Sequence, residues 1–354
     1  MDVVSYDSIG AAGAVLAPRG EPADAYATPA WFALLADTCL DPGERVRVDA
    51  VSDSVAGAAA FALRERPDRF GPWRGRRLAG LSNFYTCRYA PAGLTEAADG
   101  AALVAAWASR LRAGPDRPAR VWFEALDRPS PAFEALAAGL RRAGYAVEAY
   151  PQFGNWYLAV DERDFAAYWA GRPARLRNTV DRKARALARH GGEIEVIAAP
   201  AAAEHAVAAF EQVHAASWQP AEPYPDFIPT LIRRGLANGS VRVGVVRLRS
   251  RPVAAQLWLG GGGRATIYKL CHDEAHKALS AGSVLTRDMI AAAFRDPAVG
   301  EIDFGIGDDP YKRDWLPGRR QRWGLVAYDL RTLCGLGLAA RNLLPKVLRR
   351  RAAA

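Results

Sequence analysis

The sequence predicts an α/β (α+β) protein of two tandem lobes, each a mixed, mostly antiparallel sheet flanked by helices. Three observations carry that expectation. The 354 residues suffice for about two domains at roughly 150 residues each. Half of them are hydrophobic and 24% are charged, a globular balance rather than a disordered one. The chain also repeats itself. Val46-Arg47-Val48-Asp49-Ala50-Val51 and Val241-Arg242-Val243-Gly244-Val245-Val246 agree at four of six positions at an offset of 195, which also aligns Phe32 with Phe227.

Each copy of the repeat reads as an amphipathic helix, a short turn-rich gap and an alternating strand. In the first half, 57–63 and 77–89 then read as strands, 100–112 as a helix, 119–125 as a strand and 131–143 as a helix. The second half predicts a strand at 193–197, helices near 202–217 and 226–237, and strands at 241–249, 252–260 and 264–271. A helix at 282–295, a strand at 300–305, a turn-rich loop and a last strand near 323–328 complete it. The tetraglycine Gly260-Gly261-Gly262-Gly263 lies between two strands, where glycines supply the positive φ of a hairpin turn. A nucleotide-binding motif would need spaced glycines between a strand and a helix. The expected organisation is a first lobe at 1–155, a second at 156–330 and a basic tail at 331–354.

Composition excludes several classes. No apolar run approaches the ~18 residues that cross a bilayer. Met1-Asp2-Val3-Val4 lacks the basic start and apolar run of a secretory signal, so the cytoplasm is the expected compartment. Cys39, Cys87, Cys271 and Cys334 are far apart and form no CxxC pair, which points to reduced, buried thiols rather than a disulfide framework or zinc site. The net charge of +9 is local. Arg172, Arg175, Arg177, Arg182, Lys183, Arg185 and Arg189 face one acid, Asp181, and the tail holds Arg341, Lys346, Arg349, Arg350 and Arg351 with none. Such faces meet phosphates, acidic lipid or water.

The second-half order of strand, two helices, three antiparallel strands, helix, strand, loop and strand resembles the GNAT acyltransferase fold. Specific residues sharpen the resemblance: the basic segment Arg177-Asn178-Thr179-Val180-Asp181-Arg182-Lys183-Ala184-Arg185, then Ala281-Gly282-Ser283, then Asp303-Phe304-Gly305-Ile306-Gly307-Asp308-Asp309-Pro310-Tyr311-Lys312 with Trp315. These resemble the GNAT subfamily associated with cellulose and exopolysaccharide biosynthesis, which is related to the Fem-type peptidyltransferases with their two GNAT-like halves. The specific resemblance covers about 160–330. The first half matches only in element order and looks degenerate, because nothing in 46–130 reproduces the second half's motifs.

The resemblance implies acyl-CoA or acetyl-CoA as co-substrate, an amine acceptor of an amino sugar or cell-envelope precursor, and no metal. Lys277-Ala278-Leu279-Ser280-Ala281-Gly282-Ser283 leads into a helix and approximates the family's phosphate loop, with Gly282 at the second glycine and Ser280 replacing the first. A plain helix cap is the alternative there. The strand through Tyr268, Leu270 and His272 would bind the donor's pantetheine arm through its backbone. Alternation places those three on one face and Lys269 and Cys271 on the other, either being a candidate cleft face. His272 is a candidate base, or a solvated strand-end histidine. Asp303 would orient or deprotonate the amine, or fix the Gly305–Gly307 turn. Tyr311 stands where GNAT enzymes place a tyrosine that protonates the leaving thiolate, and Lys312 would stabilise an oxyanion or bind an acidic acceptor. Trp218 and Tyr224 would wall the acceptor site, core packing being the plainer role for the tryptophan.

His272-Asp273-Glu274-Ala275-His276 spaces two histidines like a zinc helix, but Asp replaces the required Glu and the segment leaves a strand. A Cys271–His272 dyad fails because strand neighbours point apart. Two alternatives stand beside acyl-CoA transfer: a Fem-type aminoacyl-tRNA-dependent transferase using the 172–190 patch, and a non-catalytic GNAT-like module of polysaccharide synthesis. The basic, leucine-bearing tail would touch an anionic membrane surface or pack on its own domain.

Overall fold

The computed structural model describes residues 1–17, 24–115, 117–160 and 164–352; the side chains of residues 347–352 lie outside that description. The chain forms two compact units, one from Met1–Glu21, Tyr26–Phe153 and Gln321–Ala354, the other from Gly154–Arg320 with Pro22–Ala25.

Both units follow one strand plan, as the sequence repeat predicts. In the first, Asp2–Tyr6, Arg45–Asp53, Gly57–Phe70 and Trp73–Gly80 pair antiparallel in order, and Arg120–Asp127 then adds parallel to Trp73–Gly80. In the second, Gly192–Ile197, Val241–Leu248, Arg251–Gly261 and Arg264–His272 pair antiparallel in order, and Glu301–Asp303 adds parallel to the last. The parallel step requires a crossover, made by the Gly100–Ala113 helix in one unit and by the Ala281–Arg295 helix in the other.

The closing strands differ from expectation. Gly318–Tyr328 pairs through residues 322–328 with Arg120–Asp127 of the first unit, although 323–328 was expected to end the second lobe. The strand completing the second unit is instead the latter half of Ala146–Ala159, antiparallel to Glu301–Asp303. The two halves have exchanged equivalent final strands, and local patterning does not encode which sheet edge a strand joins. Conversely Asp24, expected in the first lobe, ion-pairs with Arg264 at 2.8 Å.

Alternation sets the layers of the second unit. Gly244 meets Leu285 and Met289 of the Ala281–Arg295 helix, whereas Val241 lies against Gly235 of the Phe227–Ala237 helix. Successive residues thus face opposite helical layers. The hairpin after Gly261 turns on Gly262 and Gly263 at φ 62° and 72°, as the tetraglycine predicts, and a Cβ on Gly262 would meet Asp24.

Segment 77–89 is not one strand. Pairing stops at Gly80, and the chain folds back so that Tyr85 and Tyr89 are buried. The Tyr89 hydroxyl donates to the Ala62 carbonyl at 2.8 Å, and its ring lies beside Gly80 and Phe123. Tyr85, Cys87 and Tyr89 alternate and so imitate a strand, but their burial here caps the edge between two diverging strands.

Candidate functional site

In the second unit the strands Arg264–His272 and Glu301–Asp303 touch only through Arg264–Glu301, Ala265–Ile302 and Thr266–Asp303. The longer strand then runs on to His272, leaving a gap in the sheet. A β-bulge between Ile267 and Lys269 resets alternation within it. Leu270 consequently packs with Ala265 and Ile267 in the core beneath the Ala281–Arg295 helix, while the Tyr268 ring faces Phe227 at 6.5 Å and Lys269 reaches Glu222. This corrects the expected common face of Tyr268 and Leu270. The Leu270 carbonyl accepts the Gln219 amide at 2.8 Å instead of a neighbouring strand. A strand residue's N–H and C=O point to the same edge, so Leu270 presents backbone groups to the gap.

Lys277, Ser280, Ala281, Gly282 and Ser283 gather at the start of the Ala281–Arg295 helix. Ser280 is left-handed (φ 51°, ψ 37°), the conformation that favours the glycine it replaces. No side chain caps this helix. The Gly282 carbonyl is pinned by Gln256 at 3.1 Å, yet a Cβ on Gly282 would meet nothing within 4 Å. The result is an open helix N-terminus on a fixed turn, with exposed Lys277 nearby. In the corresponding position of the first unit, the Asp99 carboxylate caps the Gly100–Ala113 helix. A carboxylate there occupies the N–H groups an anion would use. The basic Ala174–Arg189 helix buries Val180 and Leu187 and anchors to the open turn through Lys183, which donates to the Ala278 carbonyl.

The loop after Glu301–Asp303 gives Asp303 the turn-fixing one of its two expected roles and gives Lys312 different work than expected. Asp303 is 2% exposed; its Oδ1 accepts the Gly305 N–H at 2.6 Å and the Asn155 amide at 2.8 Å, and its Oδ2 takes Arg320 at 2.5 Å. It fixes the turn, and both oxygens are engaged, so a proton-abstracting role does not fit. Lys312, 5% exposed, donates to the Ile306 carbonyl at 2.6 Å and the Phe304 carbonyl at 3.3 Å and pairs with Asp309 at 3.3 Å. It staples the loop rather than presenting an ammonium to a substrate. Tyr311 is 46% exposed, its ring edge-on to Phe304, and partial desolvation with Asp309 nearby pushes its hydroxyl up to about 12.

Glu301 joins the same network, pairing with Arg320 at 2.7 Å and with Arg264. Burial alone would raise its carboxyl, but Arg320 and Arg264 hold it below the ordinary range. A depressed carboxyl stabilises the fold above its unfolded value of about 4.3 and loses that contribution as pH falls through the folded value. Thermal melts between about pH 3 and 7 should therefore show stability falling below about pH 4.5, with a shallower fall in Glu301→Gln, which at neutral pH loses about 2 kcal/mol. Equal slopes in both proteins would remove Glu301 from the acid response.

On the opposite helical layer, Ser217 to Tyr224 forms a loop beside the bulged strand. Trp218 is 70% exposed, so core packing is not its role, and Tyr224 is half-buried. Glu222 pairs with Lys269 at 2.7 Å and lies 3.8 Å from His214. Sequence reasoning missed this trio, because its members come from a helix, a loop and a strand without common spacing. His272 sits at the strand end, 3.3 Å from Glu274, apart from the trio's ion pairs. Cys271 is buried against the Ala255 carbonyl and desolvation pushes its thiol up to about 12, an inert group. Among the described residues no group of three His, Cys, Asp or Glu side chains is placed to hold a metal.

The sheet thus opens between two parallel neighbours, with a bulge beside the opening, and the helix that crosses between them starts without a side-chain cap. Residues 174–313 match the family model of an acetyltransferase (GNAT) domain. The match contains the open turn, the bulged strand and the loop through Lys312. No curated protein matches the chain. Among solved structures, FemX is similar over 94% of this chain and 98% of its own, at 9% identity and a TM-score of 0.58. The C-terminal domain of an Agrobacterium fabrum protein described as a lysylphosphatidylglycerol synthetase is similar over 90% and 91%, at 16% identity and 0.53. L-PGS from Bacillus licheniformis is similar over 92% and 99%, at 13% identity and 0.51. At these identities the likeness is one of fold, and the acetyltransferase (GNAT) match itself lies in the second unit.

Proposed function

We propose that the chain is an N-acyltransferase moving an acyl group from acyl-CoA to an amine, of the kind carried by amino sugars and other cell-envelope or polysaccharide precursors. The observation that carries this reading is the uncapped helix at Gly282 beside the open edge of the Arg264–His272 strand. The helix N–H groups and dipole suit a pyrophosphate, and the strand edge suits the amide-bearing pantetheine arm. Among the described residues the second unit offers both, whereas in the first Asp99 caps the helix and Tyr89 fills the strand gap.

The chemistry is direct. The amine nitrogen attacks the thioester carbonyl carbon, a C–N bond forms, the C–S bond breaks, and the thiolate departs while the amine's proton passes to a base. The loop with Trp218, Glu222 and Tyr224 is the acceptor's entry, with Glu222 or His272 receiving the proton. A thiolate is a competent leaving group, since a thiol pKa of about 8.5 lies below that of an alkylamine. Tyr311, with its raised hydroxyl, is protonated at neutral pH and hydrogen-bonds the sulfur rather than transferring a full proton to it. Tyr311→Phe is therefore expected to lower kcat about 10- to 100-fold with little change in acceptor KM. Full retention of kcat would remove Tyr311 from the reaction.

Titration calorimetry with acetyl-CoA and a longer acyl-CoA tests the donor. Saturable binding supports the reading, and no binding to either overturns it. One observation favours a second reading: Arg175, Arg182, Arg185 and Arg189 are exposed on the helix that Lys183 ties to the same turn. Those cations suit the phosphates of an aminoacyl-tRNA donor. Four phosphate contacts to single strands would give a log K against log salt slope of about −3, steeper than acyl-CoA would show.

A further inference from the structure

The helix Leu333–Ala352 has two apolar faces. Cys334, Leu338 and Ala339 are buried with Ala119, Val326 and Tyr328, which docks the helix on the first unit. Leu333, Leu336 and Leu344 lie at 61%, 48% and 56% exposure, and with Leu330 just ahead of them they follow the 3–4 spacing of one stripe. Beside the helix the hairpin Phe70–Trp73 adds an aromatic tip. The Phe70 ring packs on Gly337 and under Arg341, and exposed Trp73 stacks on Phe70 at 5.8 Å. Arg69 and Arg74 flank the tip, and both are exposed.

From 330 onward the sequence has six cations (Arg331, Arg341, Lys346, Arg349, Arg350, Arg351) and no acid; Arg331 pairs with Asp329 and Lys346 with Glu148, while Arg341 joins the exposed Arg69 and Arg74 around the aromatic tip. Two such surfaces would repel one another, which disfavours a second copy of this chain. Leucines beside a tryptophan, rimmed by cations, match an anionic bilayer, where apolar side chains enter the interface and basic groups meet headgroups. No described helix is long and apolar enough to cross a membrane, so contact is in the surface plane. We infer that Leu333, Leu336, Leu344 and Trp73 form a docking surface for anionic lipid bilayers. The inference is independent of which donor the second unit uses.

The test is co-sedimentation of the full chain with vesicles of phosphatidylcholine alone or with about 30% phosphatidylglycerol. Binding should be at least about 10-fold stronger to the anionic vesicles and weaken in high salt. Leu333→Ser/Leu336→Ser/Leu344→Ser should lose at least about 10-fold while keeping its melting temperature, since those side chains are exposed. A second variant locates the contact even if the triple variant folds poorly. The four native cysteines are buried, so a Leu336→Cys protein takes an environment-sensitive fluorophore there. Its emission should shift to the blue on anionic vesicles, and that of a Val55→Cys control, on a side chain 83% exposed, should not. Equal or absent binding to both vesicle types, binding without the shift at 336, or a dimer that the triple variant dissociates would each overturn the inference.

Discussion

Gly282→Trp is expected to abolish acyl-CoA binding while leaving the fold intact. A Cβ at this position meets nothing within 4 Å, so the backbone accepts a side chain here, and an indole is large enough to obstruct the first turn of the helix. Replacing a helical glycine also gains a few tenths of a kcal/mol in propensity, so the melting temperature should not fall. What is lost is access to the uncapped N–H groups. A hydrogen bond to a charged group contributes about 1.5–3 kcal/mol, so obstructing two of them costs roughly 4 kcal/mol, or about a thousandfold in Kd. Ser280→Gly is the counterpart: it removes a left-handed non-glycine residue and should keep binding. Calorimetry on all three proteins decides. Wild-type affinity in Gly282→Trp would place the donor elsewhere, whatever the activity.

The same turn shows how far the sequence could be read. Its location was legible because glycine spacing before a helical period is local, and the repeated Val-Arg-Val strands exposed the two-lobed plan. The left-handed Ser280 agrees with the glycine pattern it departs from, a constraint on φ that one residue identity does not reveal. The bulge at Tyr268 was invisible because one extra residue costs nothing in a composition pattern yet turns Tyr268 away from Leu270's face. The exchange of closing strands escaped for a different reason: no strand was predicted over 146–159, and the partners of both closing strands lie far away in the sequence. Glu222, Lys269 and His214 meet only after the loop folds over the strand. Lys312 looks like chemistry in the sequence because charged residues beside glycines commonly serve it, but burial makes it a support for the loop, as it decides between the two roles the sequence left open for Asp303.

That distinction makes Asp303 the position where stability rather than chemistry should respond. Asp303→Ala removes the acceptor for Gly305 N–H and Asn155 and one of the two carboxylates facing Arg320. Asn155 and Arg320 are themselves held by each other at 2.6 Å, so the loss leaves two buried donors underpaired around a cation. Breaking such a buried pair costs about 3–5 kcal/mol, which should appear as a lower denaturant midpoint with an unchanged slope. Asp303→Asn keeps one oxygen for the Gly305 N–H but gives up the charge facing Arg320, and should fall between. A base and a support part company on turnover. If Asp303 accepted the amine's proton, Asp303→Asn would stay folded and lose nearly all kcat. As the residue that holds the 304–312 loop, it should instead lose stability first, while at low temperature its folded fraction keeps turnover within about tenfold of wild type. Tyr311 sits at the end of that loop with Lys312 stapled behind it, so any residual loss should track loop order and show as reduced protection of the 304–312 amides in hydrogen exchange.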